Sequence, residues 1–231
     1  EPIVLEDCYF GFHDVKPFSS NNDMLLSNKL TIPLRMPTKD DLLKVGYFTG
    51  ENFTEWHQLD ETRAWNYHKG CRLQWLDEAH VIYNSSDGKS LNSTICSLTN
   101  DEKIQINWPI DSVSADGRWA TSFSYVRLEL QMPGYGYAIG DNETFADDYT
   151  PDNTGLYLVD LQKNERKLLI SLKQLSEVKH ENDMSDKYHF VTHTEFSPDG
   201  RYIAFLHRWY KGTFQRTRLV VYDLQTNAIN V

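Results

Sequence analysis

Short runs of alternating apolar and polar residues recur along the chain, and each run ends at a polar turn. The clearest unit is residues 196–205 (FSPDGRYIAF), where an apolar strand end, an Asp-Gly turn and a returning apolar strand follow one another. Asp-Gly between two apolar runs is a strong hairpin signal, because glycine adopts the positive φ that a tight turn requires. The pattern therefore predicts antiparallel β-structure.

The same unit recurs at three further places. Residues 113–122 (VSADGRWATS) keep the Asp-Gly turn, residues 18–27 (FSSNNDMLLS) replace it with Asn and Asp, and residues 75–83 (WLDEAHVIY) keep only the apolar frame. Each copy is followed by a further strand pattern, for example residues 155–161 (GLYLVDL). Three or four strands per repeat are typical of a β-propeller blade.

We therefore predict an all-β fold, a β-propeller of antiparallel four-stranded blades, with about four blades in a single domain over residues 1–231. The expected blades are 12–59, 62–108, 110–171 and 188–231, with insertions at 131–153 and 172–188. Leucines at helical spacing predict a short helix in the second insertion. Because the chain stops within or just after a blade strand, we expect part of a larger six- or seven-bladed propeller rather than a closed four-bladed ring.

Composition excludes several classes of partner. The chain has a formal net charge of −10 and 13% aromatic residues, a share that favours pleated, half-buried strands. It has no cluster of Lys and Arg for binding phosphates and no apolar run of membrane-spanning length, so we expect neither a nucleic acid partner nor a membrane span. Cys8, Cys71 and Cys96 form no CxxC pair, and we expect reduced, buried thiols.

Three histidines near the clearest turn form the first candidate site. His189 and His193 precede Asp199-Gly200, His207 follows it, and His193 and His207 are nearly equidistant from the turn. Residues equidistant from a hairpin turn face each other, so we expect the rings of His193 and His207 to lie close together. Imidazoles so placed suit a divalent metal ion, with His189, His193 and His207 as its ligands. The alternative is that these histidines are structural and hydrogen-bonded.

Residues 61–75 (ETRAWNYHKGCRLQW) hold the second candidate site. Arg63 and His68 are candidate catalytic groups, and Trp65 and Arg72 are candidate substrate-binding groups. Arginine binds carboxylates through its forked guanidinium, and tryptophan offers a flat face to a sugar ring, so the set suits an acidic sugar. The alternative is that Trp65 packs within a blade and Arg63 forms an ion pair between blades.

A third candidate directly follows His207. Arg208 is a candidate catalytic group for an acidic ligand near the histidines, and Trp209 is a candidate substrate-binding ring. Neighbouring side chains point to opposite faces of a strand, which weakens a pairing of Arg208 with His207.

Several stretches carry a resemblance to known families. Residues 196–200 (FSPDG) resemble the repeat of TolB-like propellers, and residues 193–198 (HTEFSP) with 205–209 (FLHRW) resemble a blade of the oligogalacturonate lyases. Residues 61–75 are similar to uncharacterised bacterial TolB-like propellers. The lyase family is seven-bladed and intracellular, and cleaves unsaturated oligogalacturonides by β-elimination with manganese held by His and Gln side chains. The resemblance thus implies Mn²⁺ as a cofactor and a cytoplasmic rather than periplasmic location.

Two functions follow as hypotheses. In the first, the chain is a metal-dependent lyase for acidic oligosaccharides: the metal ion would acidify the α-proton of a uronate, and a His, Lys or Arg side chain would remove it. In the second, the chain is a non-catalytic propeller that binds a glycan or a protein. Both place an oligosaccharide or protein ligand at the channel face of the propeller.

Overall fold

Strands form nearly all of the regular structure. The computed structural model describes residues 4–100, 102–139 and 148–231. Within these ranges fifteen strands form four antiparallel sheets, and the longer of two α-helices has only seven residues. The predicted all-β fold of blade-like sheets is therefore confirmed. The middle of the predicted insertion at 131–153 lies outside the described residues.

The first two sheets belong to one compact unit, Glu1–Pro109 together with Gly134–Asp141. Its first sheet contains, in spatial order, β1 (Cys8–Tyr9), β2 (Leu25–Leu30), β3 (Leu43–Thr49) and β4 (Glu55–Thr62). Its second sheet contains β5 (Gln74–Trp75), β6 (His80–Ser86), β7 (Leu91–Ser97) and β8 (Lys103–Ile106). Neighbouring strands follow one another in sequence, which is the meander expected of a blade.

The core of this unit is built by strand alternation and by one long connection. Leu43 and Val45 of β3 and Val81 of β6 are fully buried. They pack against Trp65 and Cys71, which lie in the connection between β4 and β5. The connection therefore contributes to the core and is not a surface loop.

The other two sheets belong to a second compact unit, Ile110–Pro133 together with Asn142–Val231. The third sheet has the order β11-β10-β9, with β9 (Trp119–Ser122), β10 (Gly155–Asp160) and β11 (Glu165–Ser171). The fourth contains β12 (Tyr188–Phe196), β13 (Tyr202–Lys211), β14 (Phe214–Asp223) and β15 (Ile229–Asn230). In the third sheet an isolated bridge from Val113 to Ala120 takes the place of the fourth strand.

Helical structure is limited to short pieces. The α-helices are α1 (Tyr125–Gln131) and α2 (Leu172–Glu177), and 3-10 turns occur at Glu51–Phe53 and Asn182–Met184. Helix α2 begins with a capping box, in which Ser171 and Gln174 each accept a backbone N–H of the other. Helix α2 lies within the second insertion, where a short helix was predicted, so that prediction is confirmed; its Leu175 is buried.

The repeat seen in the sequence corresponds to one turn geometry. Paired residues are seven positions apart in three copies, Phe18 with Leu25, Val113 with Ala120 and Phe196 with Ile203, and six apart for Trp75 with Val81. In the first three copies a serine hydroxyl accepts a backbone N–H five residues later, at 2.9 Å. Asn22, Gly117 and Gly200 occupy the same place in the turn with φ of 61°, 67° and 69°. Asparagine tolerates this left-handed conformation, which explains why the copy without glycine also works.

The structure bears on two expectations from composition, the state of the cysteines and the presence of a membrane-spanning helix. The three cysteines are free; Cys71 and Cys96 are buried and Cys8 is half-buried. In the described residues no helix is long and apolar enough to cross a membrane. The single domain and the larger ring of six or seven blades stay predictions.

Candidate functional site

The fourth sheet brings two of the three predicted histidines into direct contact. His207 on β13 pairs with Val191 on β12, so His189 is its diagonal neighbour on the same face. Nδ1 of His189 lies 2.8 Å from Nε2 of His207, and both residues are fully buried. Arg218 on β14 lies opposite His207 and places its Nε 3.1 Å from Nδ1 of His207.

Burial and nearby cations keep both rings neutral. Desolvation lowers the pKa of His189 to about 4, against the opposing effect of its hydrogen bond to the Met184 carbonyl, and Arg127 and Arg218 add to the lowering. Desolvation also lowers the pKa of His207 well below its usual value, with smaller contributions from His189 and Arg218. At neutral pH the pair therefore carries no charge.

His193 does not belong to this pair, and the prediction that it faces His207 was wrong. The register shifts between Thr192 and Glu195, and His193 lies in this β-bulge with φ of 54°. Its Nδ1 contacts the Thr192 hydroxyl at 2.9 Å. The prediction counted residues outwards from the turn at Asp199-Gly200 and assumed regular pairing of β12 with β13. The bulge interrupts that pairing on β12.

The contacts of the histidine pair do not fit a metal site. Its four ring nitrogens contact one another, the carbonyl oxygen of Met184 and Nε of Arg218. Among residues 4–100, 102–139 and 148–231, no group of three or more His, Cys, Asp or Glu side chains could hold a metal ion. A metal ion on these rings would have to break these hydrogen bonds beside a guanidinium. Binding of Mn²⁺ by His189, His193 and His207 stays a prediction, and these contacts disfavour it.

The opposite face of the same two strands carries Arg208. Alternation along β13 directs His207 to one face and Arg208 with Tyr210 to the other, as expected for neighbouring residues. Across the ladder Tyr210 pairs with Tyr188, and Arg208 pairs with Phe190. Together Tyr188, Phe190, Arg208 and Tyr210 form what we call the Arg208 face.

Arg208 lacks an acidic partner within the described chain. Its Nη1 lies 3.1 Å from the Tyr210 hydroxyl and 3.3 Å from Sδ of Met132, which follows α1. Its Nε is buried and has no hydrogen-bond partner among the described residues. None of the ion pairs between described residues includes Arg208. The half-buried guanidinium thus holds a positive charge that no described carboxylate balances.

Aromatic and cationic groups border the Arg208 face. The guanidinium of Arg127 lies 3.7 Å from the ring centroid of Tyr188. Tyr149 meets Tyr188 edge-on, with ring centroids 6.4 Å apart, and Tyr149 is 46% exposed. The ammonium group of Lys211 lies 5.8 Å from the Tyr149 ring. The border thus combines the exposed ring of Tyr149 with the ammonium group of Lys211.

The two tryptophans predicted to bind a sugar occupy core positions. Trp65 and Trp209 are each only 1% exposed. The indole N–H of Trp65 donates to the Asp41 carbonyl at 3.0 Å, and that of Trp209 donates to Oδ1 of Asp183 at 3.1 Å. Protein atoms cover their rings, so the structure corrects the substrate-binding prediction for both. The packing alternative holds for Trp65.

Arg72 is also buried rather than presented to a ligand. Its Nη1 lies 2.9 Å and 3.0 Å from the two carboxylate oxygens of Asp14, and the ammonium group of Lys69 lies 3.9 Å from the same carboxylate. The three side chains are at most 4% exposed. Arg72 therefore belongs to an internal charge cluster of the first unit, which its predicted substrate-binding role did not anticipate.

His68 and Arg63 are the more accessible residues of the second candidate site. Both are half-buried. The His68 ring packs against those of Phe12 and Tyr135, at centroid distances of 4.3 Å and 4.4 Å. Arg63 takes part in no ion pair with the described residues. These two belong to the first compact unit, whereas the histidine pair and Arg208 belong to the second.

Sequence reasoning missed Arg218, although a signal for it existed. The β13–β14 hairpin turns at Gly212 and pairs Lys211 with Phe214. Counting outwards from this turn sets Arg218 opposite His207, because this ladder has no bulge. The same count that failed between β12 and β13 would have succeeded here.

Comparisons with known proteins support the fold and no narrower assignment. No family profile matches the chain, and no curated protein sequence does. A puromycin-hydrolysing peptidase from Mycobacterium tuberculosis superposes with a TM-score of 0.54 at 13% identity, covering 93% of this chain and 27% of the peptidase. A protein assigned as TolB from Agrobacterium tumefaciens gives 0.50 at 9% identity, covering 92% of this chain and 62% of the other. The similarity to a TolB-like propeller fold is confirmed.

A third solved structure is an oligogalacturonate lyase in complex with manganese. Its TM-score is 0.48 at 15% identity, covering 96% of this chain and 65% of the lyase. The chain thus spans about a quarter of the peptidase and less than two thirds of the TolB and lyase structures. At these identities the similarity concerns the fold alone.

Proposed function

We propose that the chain is a ligand-binding β-propeller domain that recognises an acidic oligosaccharide through Arg208. One observation carries the proposal: a half-buried guanidinium without a carboxylate partner in the described residues, held between the Tyr210 hydroxyl and Met132. A partly desolvated cation without a counter-charge is unfavourable, so a carboxylate brought by a ligand stabilises it. Arginine matches a carboxylate with two parallel hydrogen bonds, and uronic acids carry such a group.

The border of the Arg208 face supports a sugar ligand. The exposed ring of Tyr149 offers an apolar surface with a polar edge, which suits the C–H face of a pyranose. Lys211 adds a second positive charge next to that ring. Alternation starts Lys211 on the opposite face of β13 from Arg208, but its ammonium group reaches the Tyr149 ring at the border of the Arg208 face. A second cation there suits a ligand with carboxylates on successive sugars, such as an oligogalacturonate. In a chain of net charge −10, local positive charge is also required to attract such a ligand.

Binding is favoured over lyase chemistry by the position of the histidines. Elimination needs a base close to the α-carbon of the uronate whose carboxylate Arg208 would hold. His207 points to the opposite face of β13 from Arg208 and is fully buried. A metal-dependent lyase therefore remains the second hypothesis, to be separated from binding by experiment.

The test is calorimetric titration of the protein with oligogalacturonate and with its methyl-esterified form. The two ligands share their sugar rings and differ in charge. We expect binding of the acidic form only, and loss of about ten- to a hundred-fold in affinity for Arg208→Gln, the range for a hydrogen bond to a charged group. Arg216→Gln is the matched control, because Arg216 lies on the neighbouring strand and pairs with Asp183.

Three results would contradict the proposal in different ways. Equal affinity for both ligands would show that Arg208 does not read the carboxylate. Unchanged affinity in Arg208→Gln would place the ligand elsewhere. Growth of ultraviolet absorbance from an unsaturated product, dependent on added Mn²⁺, would favour the lyase.

A further inference from the structure

The segment between β11 and β12, residues 172–187, is attached to the fourth sheet by side chains of that sheet. Nη2 of Arg218 donates to the Leu175 carbonyl at 2.6 Å, and Nη1 donates to the Lys179 carbonyl at 3.3 Å. Nε2 of His189 lies 3.0 Å from the Met184 carbonyl. Arg218 and His189 thus hold the segment through three of its backbone carbonyls, in addition to the contacts of Trp209 and Arg216 with the Asp183 side chain.

The direction of each hydrogen bond in this group is fixed by its two ends. A guanidinium only donates hydrogen bonds and a carbonyl oxygen only accepts them. Arg218 Nε–H must therefore donate to Nδ1 of His207, which leaves that nitrogen without a proton. The single proton of the His207 ring lies on Nε2, which then donates to Nδ1 of His189.

The same reasoning completes the chain. Because Nδ1 of His189 accepts, its ring proton lies on Nε2 and is donated to the Met184 carbonyl. All four ring nitrogens are then used once, and every hydrogen bond runs from β14 towards the 172–187 segment. An added proton would set two N–H groups against each other, and an added metal ion would find no free lone pair.

We infer that His189 and His207 are two neutral links of a one-way hydrogen-bond chain that holds the 172–187 segment on the fourth sheet, and that they do not bind a metal ion. Their ligand-like appearance in the sequence comes from their burial on neighbouring strands. Their role is positional: Arg218, His207 and His189 together satisfy buried polar groups that would otherwise be costly. The inference is independent of any ligand of the Arg208 face.

The first test reads the protons directly. In ¹⁵N-labelled protein, long-range ¹⁵N–¹H correlation spectra distinguish the two neutral tautomers of each imidazole. We expect the Nε2–H tautomer for both His189 and His207 at neutral pH, with neither ring responding to added Zn²⁺. An Nδ1–H tautomer on either ring, or a ring nitrogen that shifts on Zn²⁺ addition, overturns the inference. The test uses the unmodified sequence and does not depend on a variant that folds.

The second test measures attachment of the segment. Lys173, Lys179 and Lys187 provide trypsin sites within it. His207→Phe keeps a ring but removes both hydrogen bonds, and we expect cleavage in 172–187 to become about ten-fold faster or more. His207→Gln, which can still accept from Arg218 and donate to His189, is the matched variant and should be cleaved close to the wild-type rate.

The circular dichroism of each variant reports whether the sheets remain. An His207→Phe protein with intact β-structure and a wild-type cleavage rate contradicts the inference. If His207→Phe does not fold, the tautomer measurement on the wild-type protein decides.

Discussion

Nε2 of His207 lies 2.8 Å from Nδ1 of His189, and neither ring has any surface exposed to solvent. Two imidazoles this close form a hydrogen bond only when one donates and the other accepts. Here Arg218 donates to the outer nitrogen of His207 and the Met184 carbonyl accepts from that of His189, so each ring carries one proton and is neutral. Their contact joins three strands of the fourth sheet, because Arg218 on β14 completes the row. Stability should therefore depend on pH in a way that exposed histidines do not produce.

The first prediction concerns this pH dependence. The pKa of His189 falls to about 4 in the folded protein, from 6.5 in a free side chain, and burial lowers the pKa of His207 well below its usual value. Between these values the unfolded chain binds protons that the folded protein does not, so the free energy of unfolding is highest above pH 6.5 and decreases as the pH falls towards 4. One pKa unit corresponds to about 1.4 kcal/mol. Urea unfolding at a series of pH values measures the slope.

One variant and one control show whether the buried histidines cause this pH dependence. His207→Gln removes one titrating ring and should flatten the loss of stability between pH 6.5 and 4. His13→Gln changes an exposed histidine and should leave the slope as in the wild type. Equal slopes in all three proteins would mean that the buried rings are not the source of the pH dependence.

The second prediction concerns the repeat turn. Gly200 has φ of 69°, and a Cβ added there meets no atom within 4 Å, so any cost of substitution comes from the backbone alone. Asn22 already occupies the corresponding place in the first sheet. We expect Gly200→Asn to change the free energy of unfolding by less than about 1 kcal/mol and Gly200→Val to cost about 1–2 kcal/mol, because β-branched residues resist the left-handed conformation. Thermal unfolding of the two variants makes the comparison, and equal stability would contradict it.

The third prediction links helix α1 to the border of the Arg208 face. Nε of Arg127 donates to the His189 carbonyl, and its Nη2 donates to the carbonyls of Asp148 and Tyr149. A lysine carries its charge at one point and cannot reach all three, so Arg127→Lys should loosen the chain at Tyr149. We expect faster hydrogen–deuterium exchange in peptides covering 148–153, and a smaller loss of oligogalacturonate affinity than Arg208→Gln produces. Arg118→Lys, at a partly exposed ion pair in the same unit, should change neither.

Much of the fold could be predicted from the sequence because the repeat turn is a local structure. Its serine hydroxyl and its left-handed residue act within ten residues of chain, so FSPDG, VSADG and even FSSNN identify the same hairpin. The copy at Trp75 has lost both features, and its apolar frame alone still marked the strands. Alternation then separated the face of Arg208 from that of His207.

The site was harder to predict because it depends on register and on contacts distant in the sequence. The bulge at His193 moves that residue out of the ladder, and no turn residue announces it. In a sequence, an aromatic residue that binds a sugar cannot be distinguished from one that packs in a core. The burial of Trp65 and Trp209 in the structure shows that both pack in the core. The Arg72 guanidinium finds Asp14, a residue 58 positions away, which no local pattern signals.

The last prediction compares two ion pairs of the first unit. Asp14 and Arg72 are buried, with the Arg72 side chain 1% exposed, whereas the Arg35 side chain in the pair with Asp41 is 46% exposed. The exposed pair has the shorter contact, 2.7 Å against 2.9 Å, so ranking by distance would call it the stronger. Burial reverses the order: a partner lost inside the protein leaves a charge that water cannot reach, while a partner lost at the surface is replaced by solvent.

We expect Asp14→Asn to lower the free energy of unfolding by about 3 kcal/mol and Arg35→Gln to lower it by much less. The double variant Asp14→Asn with Arg72→Met removes the charges of Asp14 and Arg72 and leaves that of Lys69, so it should recover only the part of the loss that is due to the buried Arg72 charge. Urea unfolding followed by tryptophan fluorescence suits the measurement, because Trp65 lies in the core of the same unit. If Arg35→Gln proved as costly as Asp14→Asn, or if the double variant were less stable than Asp14→Asn alone, the buried cluster would owe its stability to contacts other than this charge pair.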